Sequence, residues 1–381
     1  MTASPTTAGL ERLLPTYARA DLTIVKGEGC RVWDADGREY LDFGGGIAVV
    51  SLGHCHPGPL AAAHAQLDRL WHVSNLYRTE PAEQLAAALS DRFGGAQAFF
   101  CNSGAEAIET AVKYARKATG KAGVVALEGG FHGRTLGALS VTGQPAKRES
   151  FEPLAPGVRF VAPNDVDALV AAVDDEVGLI LVEPILGEGG VITLDAGFVA
   201  AAAELSPLLC LDEIQTGIGR TGSFFAFEQL GVQPDLVTLA KGLGNGLPIG
   251  ALLVADHAAG AFVAGDHGST FGGNPVSAAA ACAVVEAIDD DLLANVAERG
   301  AELAAGLGRL PGVVSVRGRG LLLGAVTAAP PADVVAAARG EGLLVLTAGD
   351  DAVRLAPPLT VSAADVAAAL DVLARVVTLP R

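Results

Sequence analysis

The chain reads as an open α/β protein: a large domain on a buried, mainly parallel sheet, plus a smaller α+β domain made from both chain ends. Three observations predict it. From about residue 95 to residue 254, short continuous apolar runs alternate with helical patterns, as expected of parallel strands buried on both faces. Turn residues, many of them glycine, bound these runs. Beyond residue 290, helical runs surround shorter apolar segments, which marks a second, mixed unit. The chain has 381 residues, 50% hydrophobic and 18% charged, so it exceeds one ordinary core and has ample apolar surface to bury.

The elements follow in chain order. Residues 31–33 and 39–43 flank the turn Asp34-Ala-Asp-Gly37, a hairpin signal. Residues 61–70 and 81–89 are helical. Residues 96–101 form a strand and 105–118 a helix, with Ile108, Ala111, Val112 and Ala115 at helical spacing. The apolar runs 124–127, 177–182, 208–211, 236–239 and 249–254 are the further parallel strands. Residues 278–288 form a helix leading out. Segments near 313–316, 321–326, 343–346 and 353–355 belong to the second unit. The expected division is residues 1–55 joining the small domain, 56–275 as the large domain and 276–381 as the C-terminal small domain. No internal repeat or linker is visible.

Charge and cysteine content exclude several classes. There are 43 acidic against 26 basic residues, a formal net charge of -17. Such a surface repels nucleic acid and anionic lipid. The five cysteines, Cys30, Cys55, Cys101, Cys210 and Cys282, are odd in number and show no CxxC spacing. They are expected to be reduced, mostly buried thiols of a cytoplasmic protein. Residues 1–8 lack a basic region followed by an apolar stretch, so no secretory signal is expected. The longest alanine-rich run, 276–288, is interrupted by Glu286 and is too short to span a bilayer.

Ligands of open α/β sheets bind beyond the carboxyl ends of the strands. Three apolar strands end there in polar residues. One runs into Asp212-Glu-Ile-Gln215, one into Glu183-Pro184, and one into Lys241 followed by Gly242-Leu-Gly-Asn-Gly246. A partly desolvated ammonium at Lys241 has a lowered pKa and is a better nucleophile toward a carbonyl. A fourth strand ends in Cys101-Asn-Ser103-Gly104-Ala105-Glu106 and opens a helix. Ser103 and the free N–H groups after it form an anion site. A phosphate seat, a carboxylate and an amine are the parts that pyridoxal phosphate needs. Each has a plainer explanation alone: a helix N-cap, a loop-capping aspartate, a solvated lysine. Their order and combination carry the reading.

The stretches GEGCRVWDADGREYLDF, SLGHCHP, FFCNSGAEAIETAVKYARKATG, FHGRTLGALSVTGQP, VEPILGEGG, LDEIQTGIGRTG, LAKGLGNGLPIGA, GSTFGGNPVSAAAA and VRLAPPL span about residues 17–377. They resemble the class-III aminotransferases of fold type I, most of all the acetylornithine branch. The resemblance implies that Lys241 carries pyridoxal 5′-phosphate as a Schiff base and shuttles a proton. It implies that Asp212 faces the pyridinium nitrogen, Gln215 the ring oxygen, and Phe131 the ring face. Ser103, Gly104 and Ala105 are implied to hold the phosphate. Thr270, with Ser269, is implied to reach the phosphate of a neighbouring subunit, which makes a homodimer with shared sites.

Arg134 resembles the arginine for the substrate's distal carboxylate, which a guanidinium grips through two parallel hydrogen bonds. Arg354 resembles the arginine for the α-carboxylate of glutamate, and Glu188 the gate that pairs with it. The implied reaction is ping-pong transfer of the ω-amine of N2-acetyl-L-ornithine to 2-oxoglutarate, a step of arginine biosynthesis. The open alternatives are N-succinylornithine, N-succinyl-diaminopimelate, ornithine or GABA as donor, or an aminomutase, racemase or decarboxylase. A non-catalytic relative would be expected to lack Lys241 or Asp212. Ile47 stands where ornithine aminotransferases carry tyrosine, which disfavours a free α-amino group, although a core position for Ile47 is also open. Arg78 and the short connection 201–208 depart from the family pattern. His54, His56 and His132 suggest a metal, but GHCHP has no acidic partner nearby, so loop structure or subunit contact is the expectation and no metal is expected.

Overall fold

A computed structural model of the protein describes residues 12–378. The expectation about a secretory signal in residues 1–8 lies outside the described residues. Seven strands form the central sheet, in the order Ala96–Cys101, Gly250–Ala255, Leu236–Leu239, Leu208–Asp212, Val177–Val182, Gly123–Leu127, Val158–Val161. Six run the same way. Gly250–Ala255 is antiparallel to both neighbours, which corrects the reading of residues 249–254 as a parallel strand. Burial explains the error: all six of its residues are buried, so its sequence carries no sign of direction. The edge strand Val158–Val161 escaped notice because it is short and contains Arg159.

Side chains alternate between two apolar layers with period two. Val124, Ala126, Leu179, Leu181, Cys210, Leu252 and Val254 join one core cluster, with Ile108, Ala111 and Ala115 of the helix Gly104–Thr119. Val125, Leu127, Ile180, Val182, Leu209, Leu211, Val237, Leu239, Ala251 and Leu253 join the other. With both faces filled by hydrocarbon, polar groups are pushed to the sheet's ends. The carboxyl edge therefore collects Ser103, Glu183, Asp212 and Lys241, and the reversed strand brings Gly250 to the same edge, opposite Cys101.

The hairpin expected at residues 31–43 is present as Arg31–Asp34 and Glu39–Asp42. A further strand, Ile24–Glu28, pairs with it. Leu343–Leu344 adds in parallel to Glu39–Asp42, so the two chain ends share one sheet. A second antiparallel sheet holds Val313–Arg319, Leu322–Thr327, Ala352–Leu355 and Leu346–Ala348. Among the described residues, no helix is long and apolar enough to cross a membrane. The five cysteines are all unbridged, and three of them are buried.

Gly250 ties the fold to the site. A Cβ there would lie 2.5 Å from the Ser103 carbonyl oxygen and 2.9 Å from Cys101 Sγ. Gly250→Ala is expected to destabilise the protein by about 1–3 kcal/mol through overpacking. Because the obstacle is the backbone of the phosphate-seat turn, it should also weaken cofactor retention. Denaturant unfolding and cofactor titration check the two effects; an unfolding loss with unchanged cofactor affinity would separate Gly250 from the seat.

Candidate active site

A cavity of about 410 Å³ opens at the carboxyl edge of the sheet. Its wall includes Asn102, Ser103, Gly104, Ala105, Phe131, His132, Arg134, Ile214 and Lys241.

The anion seat is built by the start of the helix Gly104–Thr119. Ser103 is its N-cap and accepts a hydrogen bond from Glu106 N at 3.3 Å. The Gly104 and Ala105 N–H groups have no acceptor within the helix, and they line the cavity. Ser269 Oγ accepts from Asn102 Nδ2 at 3.2 Å and from Gly272 N at 3.0 Å, so its loop is fastened to the seat. Thr270 next to it is exposed and does not line the cavity.

Asp212 ends its strand beneath the cavity and is 3% exposed. Its Oδ2 accepts from His132 Nδ1 at 2.7 Å, and its Oδ1 accepts from Ile214 N at 3.0 Å and Thr238 Oγ1 at 3.2 Å. Burial opposes charge on His132, but the hydrogen bond and charge of Asp212, with the charge of Glu183, outweigh it and raise the imidazole pKa. Burial pushes Glu183 up to about 7. Glu183 Oε1 accepts the Phe131 N–H at 2.8 Å, which fixes Phe131 in the wall.

Lys241 follows its strand in a left-handed conformation, φ 41°, uncommon for a residue with a side chain. Burial lowers the pKa of its ammonium, against the raising effect of Asp212, Glu188 and Glu183. The turn after it is braced from the N-terminal segment. Ser51 Oγ donates to Gly242 O at 2.8 Å, Leu52 N donates to Asn245 Oδ1 at 2.8 Å, and Asn245 Nδ2 donates to Gly53 O at 3.0 Å.

Arg354 is buried on the strand Ala352–Leu355 of the second sheet. Its Nη1 meets Glu188 Oε1 at 2.6 Å, Gly187 O at 3.0 Å and Gln215 Oε1 at 3.0 Å. Glu188 sits in the glycine-rich turn between the short strands Ile185–Leu186 and Ile192–Thr193. Gly349 N donates to the Glu188 carbonyl at 2.8 Å and holds that turn against the second sheet. Arg134 is exposed at the cavity wall, its guanidinium 5.7 Å from the Phe131 ring centroid.

The amine, the open N–H groups and Arg134 thus line one cavity, and His132 in its wall holds the buried Asp212 carboxylate. The sequence matches the family described as Aminotransferase class-III over residues 15–377. The chain belongs to the class-III aminotransferases. It is 52% identical over 359 residues to the acetylornithine aminotransferase of Mycolicibacterium smegmatis, covering 92% of each chain. It superposes on the ornithine aminotransferase of Toxoplasma gondii with a TM-score of 0.92 and 33% identity, covering 97% of this chain and 93% of that one. It superposes on the N-acetylornithine aminotransferase of Stenotrophomonas maltophilia with a TM-score of 0.83 and 37% identity, covering 94% and 96%.

Family membership implies pyridoxal phosphate, and the residues present fit it. The open N–H groups of Gly104 and Ala105 suit its phosphate, the buried Asp212 suits a ring N–H, and the Lys241 amine suits its aldehyde.

Several site features lay beyond the sequence reading. His132 was grouped there with the loop histidines, yet it pairs with Asp212, 80 residues away. His54 does have an acidic partner, Asp42 Oδ2 at 2.8 Å, and His56 caps a helix by accepting from Gly58 N at 3.3 Å. Ile47 is 45% exposed, which excludes the core position, and its φ is 66°. The neighbouring Val49, not Ile47, lines the cavity. Arg78 is exposed and pairs with Glu83, its Nη2 at 3.0 Å from Oε2. Ser51, Asn245 and Lys147 carried no signal in the sequence pattern.

Removing one member of a buried charged pair strands the other. In the cofactor-free protein, His132→Phe is expected to cost about 3 kcal/mol of stability for that reason. Adding Asp212→Asn should recover part of the loss. Urea unfolding of both single variants and the double variant gives the coupling; strict additivity would show that the 2.7 Å contact contributes nothing.

Proposed function

We propose that this aminotransferase moves the ω-amino group of N2-acetyl-L-ornithine to 2-oxoglutarate, giving N-acetyl-L-glutamate 5-semialdehyde and L-glutamate. The observation that carries the reading is the buried contact of Arg354 with Glu188. A reaction that alternates two substrates in one cavity needs an arginine that can be occupied or free. Glu188 covers Arg354 when the donor, with one carboxylate, is present. Glutamate and 2-oxoglutarate bring two carboxylates and displace it. The acylated donor is supported by the acetylornithine relative at 52% identity, against 33% for the ornithine enzyme.

Each residue has a task. Ser103, Gly104 and Ala105 hold the phosphate, Phe131 covers the ring, and Asp212, aligned by His132, accepts the ring N–H. Gln215 braces Arg354 and reaches toward the ring oxygen. When bound, the cofactor supplies an electron-withdrawing ring that stabilises negative charge on the carbon bearing the amine. Lys241 Nζ holds the cofactor's aldehyde end. Burial lowers the pKa of this amine, which suits it to take the proton from that carbon. Arg134 grips the distal carboxylate and fixes which carbon faces Lys241. Thr270 and Ser269 extend toward the phosphate of a second subunit in a homodimer. The division into residues 1–55, 56–275 and 276–381 belongs to the same proposal, supported by the sheet that both chain ends share. A cytoplasmic location suits the five unbridged thiols.

Borohydride treatment of the holoprotein should tag Lys241, and Lys241→Ala should abolish both the tag and turnover. A panel of ω-amino donors with 2-oxoglutarate should give N2-acetyl-L-ornithine the highest kcat/KM; ornithine, GABA or a succinylated donor in first place would replace the donor proposed. Glu188→Ala should narrow the preference between the donor and glutamate, since Arg354 then stays uncovered. Equal preference in variant and parent would remove the gate.

A further inference from the structure

Arg134 lines the cavity, and two further cations, Arg354 and Lys147, act on each other's surroundings nearby; the proposed reaction uses only the two arginines. Arg134 is matched to the distal carboxylate, and Arg354 to the α-carboxylate of glutamate or to Glu188. The third is Lys147. Its Nζ lies 5.0 Å from the centroid of the Phe131 ring, the same ring that the Arg134 guanidinium approaches at 5.7 Å. The lysine is half-buried, and its hydrogen bond goes to a neutral group, Gln144 Oε1. Gln144 is itself anchored through Nε2 to Gly129 O at 2.9 Å. Among the described residues, Lys147 has no carboxylate within ion-pair distance.

A partly desolvated cation with two arginines and only one nearby solvated carboxylate, Glu188, leaves room for a polar ligand. Burial lowers the pKa of the Lys147 ammonium; Arg134 and Arg354 add to the lowering, and Glu188 and Glu183 oppose it. Partly exposed and, among the described residues, without an ion-pair partner, the lysine leans on the aromatic ring that walls the site.

We propose that Lys147 is a specificity-determining residue that binds the Nα-acyl group of the amino donor, through the acyl oxygen of an acetyl group or, more tightly, the free carboxylate of a dicarboxylic acyl group. The donor's carbon that carries the carboxylate also carries the acylated nitrogen. Once Arg134 holds the carboxylate, the acyl group must lie within a few bond lengths of it, and Lys147 approaches the same Phe131 ring as Arg134. An ammonium on a flexible stem suits this task better than a fixed guanidinium fork, because it follows acyl groups of different length. Substrates without an acyl group, such as 2-oxoglutarate, leave Lys147 untouched. The inference rests on the proposal that the donor is Nα-acylated.

The test uses the holoenzyme and unreactive probes that lack the transferable amine: Nα-acetyl-L-norvaline, Nα-succinyl-L-norvaline and glutarate. Affinities come from calorimetry, with KM for N2-acetyl-L-ornithine and for 2-oxoglutarate measured alongside. Lys147→Met keeps the apolar stem against Phe131 and removes the charge. It is expected to weaken the succinyl probe about tenfold, the loss of one charged hydrogen bond. The acetyl probe should weaken by a smaller factor and glutarate not at all. KM should rise for the donor alone, with the cofactor absorbance unchanged, and Lys147→Arg should restore most of the succinyl affinity. Equal weakening of all three probes would make Lys147 a general carboxylate contact and overturn the assignment. Unchanged binding of both acyl probes would overturn it as well. A parent enzyme that binds neither acyl probe removes the donor proposal and this one together, whereas a parent that binds both as tightly as Lys147→Met does removes only this one.

Discussion

Asp212 is a carboxylate buried under the cavity at the end of an apolar strand, and the site depends on how that charge is held. Burying an unpaired charge is prohibitive, so its oxygens must be saturated with donors. They are: His132, Thr238 and Ile214 supply a ring N–H, a hydroxyl and a backbone N–H. The consequences spread through His132. Its own backbone N–H donates to Thr142 Oγ1 at 3.0 Å, and the preceding Phe131 N–H donates to Glu183. Two fixed peptide groups in succession leave the loop from Phe131 to Arg134 one conformation. The requirement to satisfy a single buried carboxylate therefore also aims the aromatic wall and the guanidinium at the cavity.

Arg354 shows the opposite economy. Its Nη1 touches three acceptors, yet its Nε is buried without a partner. A guanidinium in that position cannot simply lose Glu188 to solvent, because the remaining carbonyl and amide oxygens are neutral. Exchange for another carboxylate is far cheaper than opening. Glu188 is suited to leave, since it sits in a glycine-rich turn and its side chain is about 25% exposed against 3% for the arginine. The mobile partner is the solvated one, and the buried partner stays fixed on its sheet.

Much of this was legible in the sequence because strand burial and strand ends leave local marks. The apolar runs located most of the central sheet, and the polar residues after them located Asp212, Glu183 and Lys241. Direction left no mark: residues of Gly250–Ala255 are buried on both faces whichever way the strand runs. Contacts across the fold were equally silent. Nothing in FHGR announces that its histidine meets a residue 80 positions away, and nothing near Asn245 announces that it grips Leu52 and Gly53. Lys147 lies in the four-residue helix Pro145–Arg148, too short to show a periodicity, so a lysine there reads as solvated until the ring beneath it is known.

The conformation at Lys241 explains why the chain's beginning belongs to the active site. A side-chain residue held at φ 41° costs on the order of 1–3 kcal/mol, and it persists only where its surroundings over-determine it. The turn after Lys241 cannot supply that by itself, being rich in glycine and therefore free to relax. The restraint comes from Ser51, Leu52 and Gly53, which make three hydrogen bonds to Gly242 and Asn245. At about 1 kcal/mol each, they match the strain. The same segment is tied to the connection that follows the strand Ala352–Leu355, since Leu359 N donates to Ser51 O at 2.7 Å and Thr360 Oγ1 to Leu52 O at 3.2 Å. The turn after Lys241 and the connection after the Arg354 strand thereby share one short stretch of backbone. The turn that aims Lys241 and the segment that follows the Arg354 strand are therefore positioned by the same residues, Ser51 and Leu52.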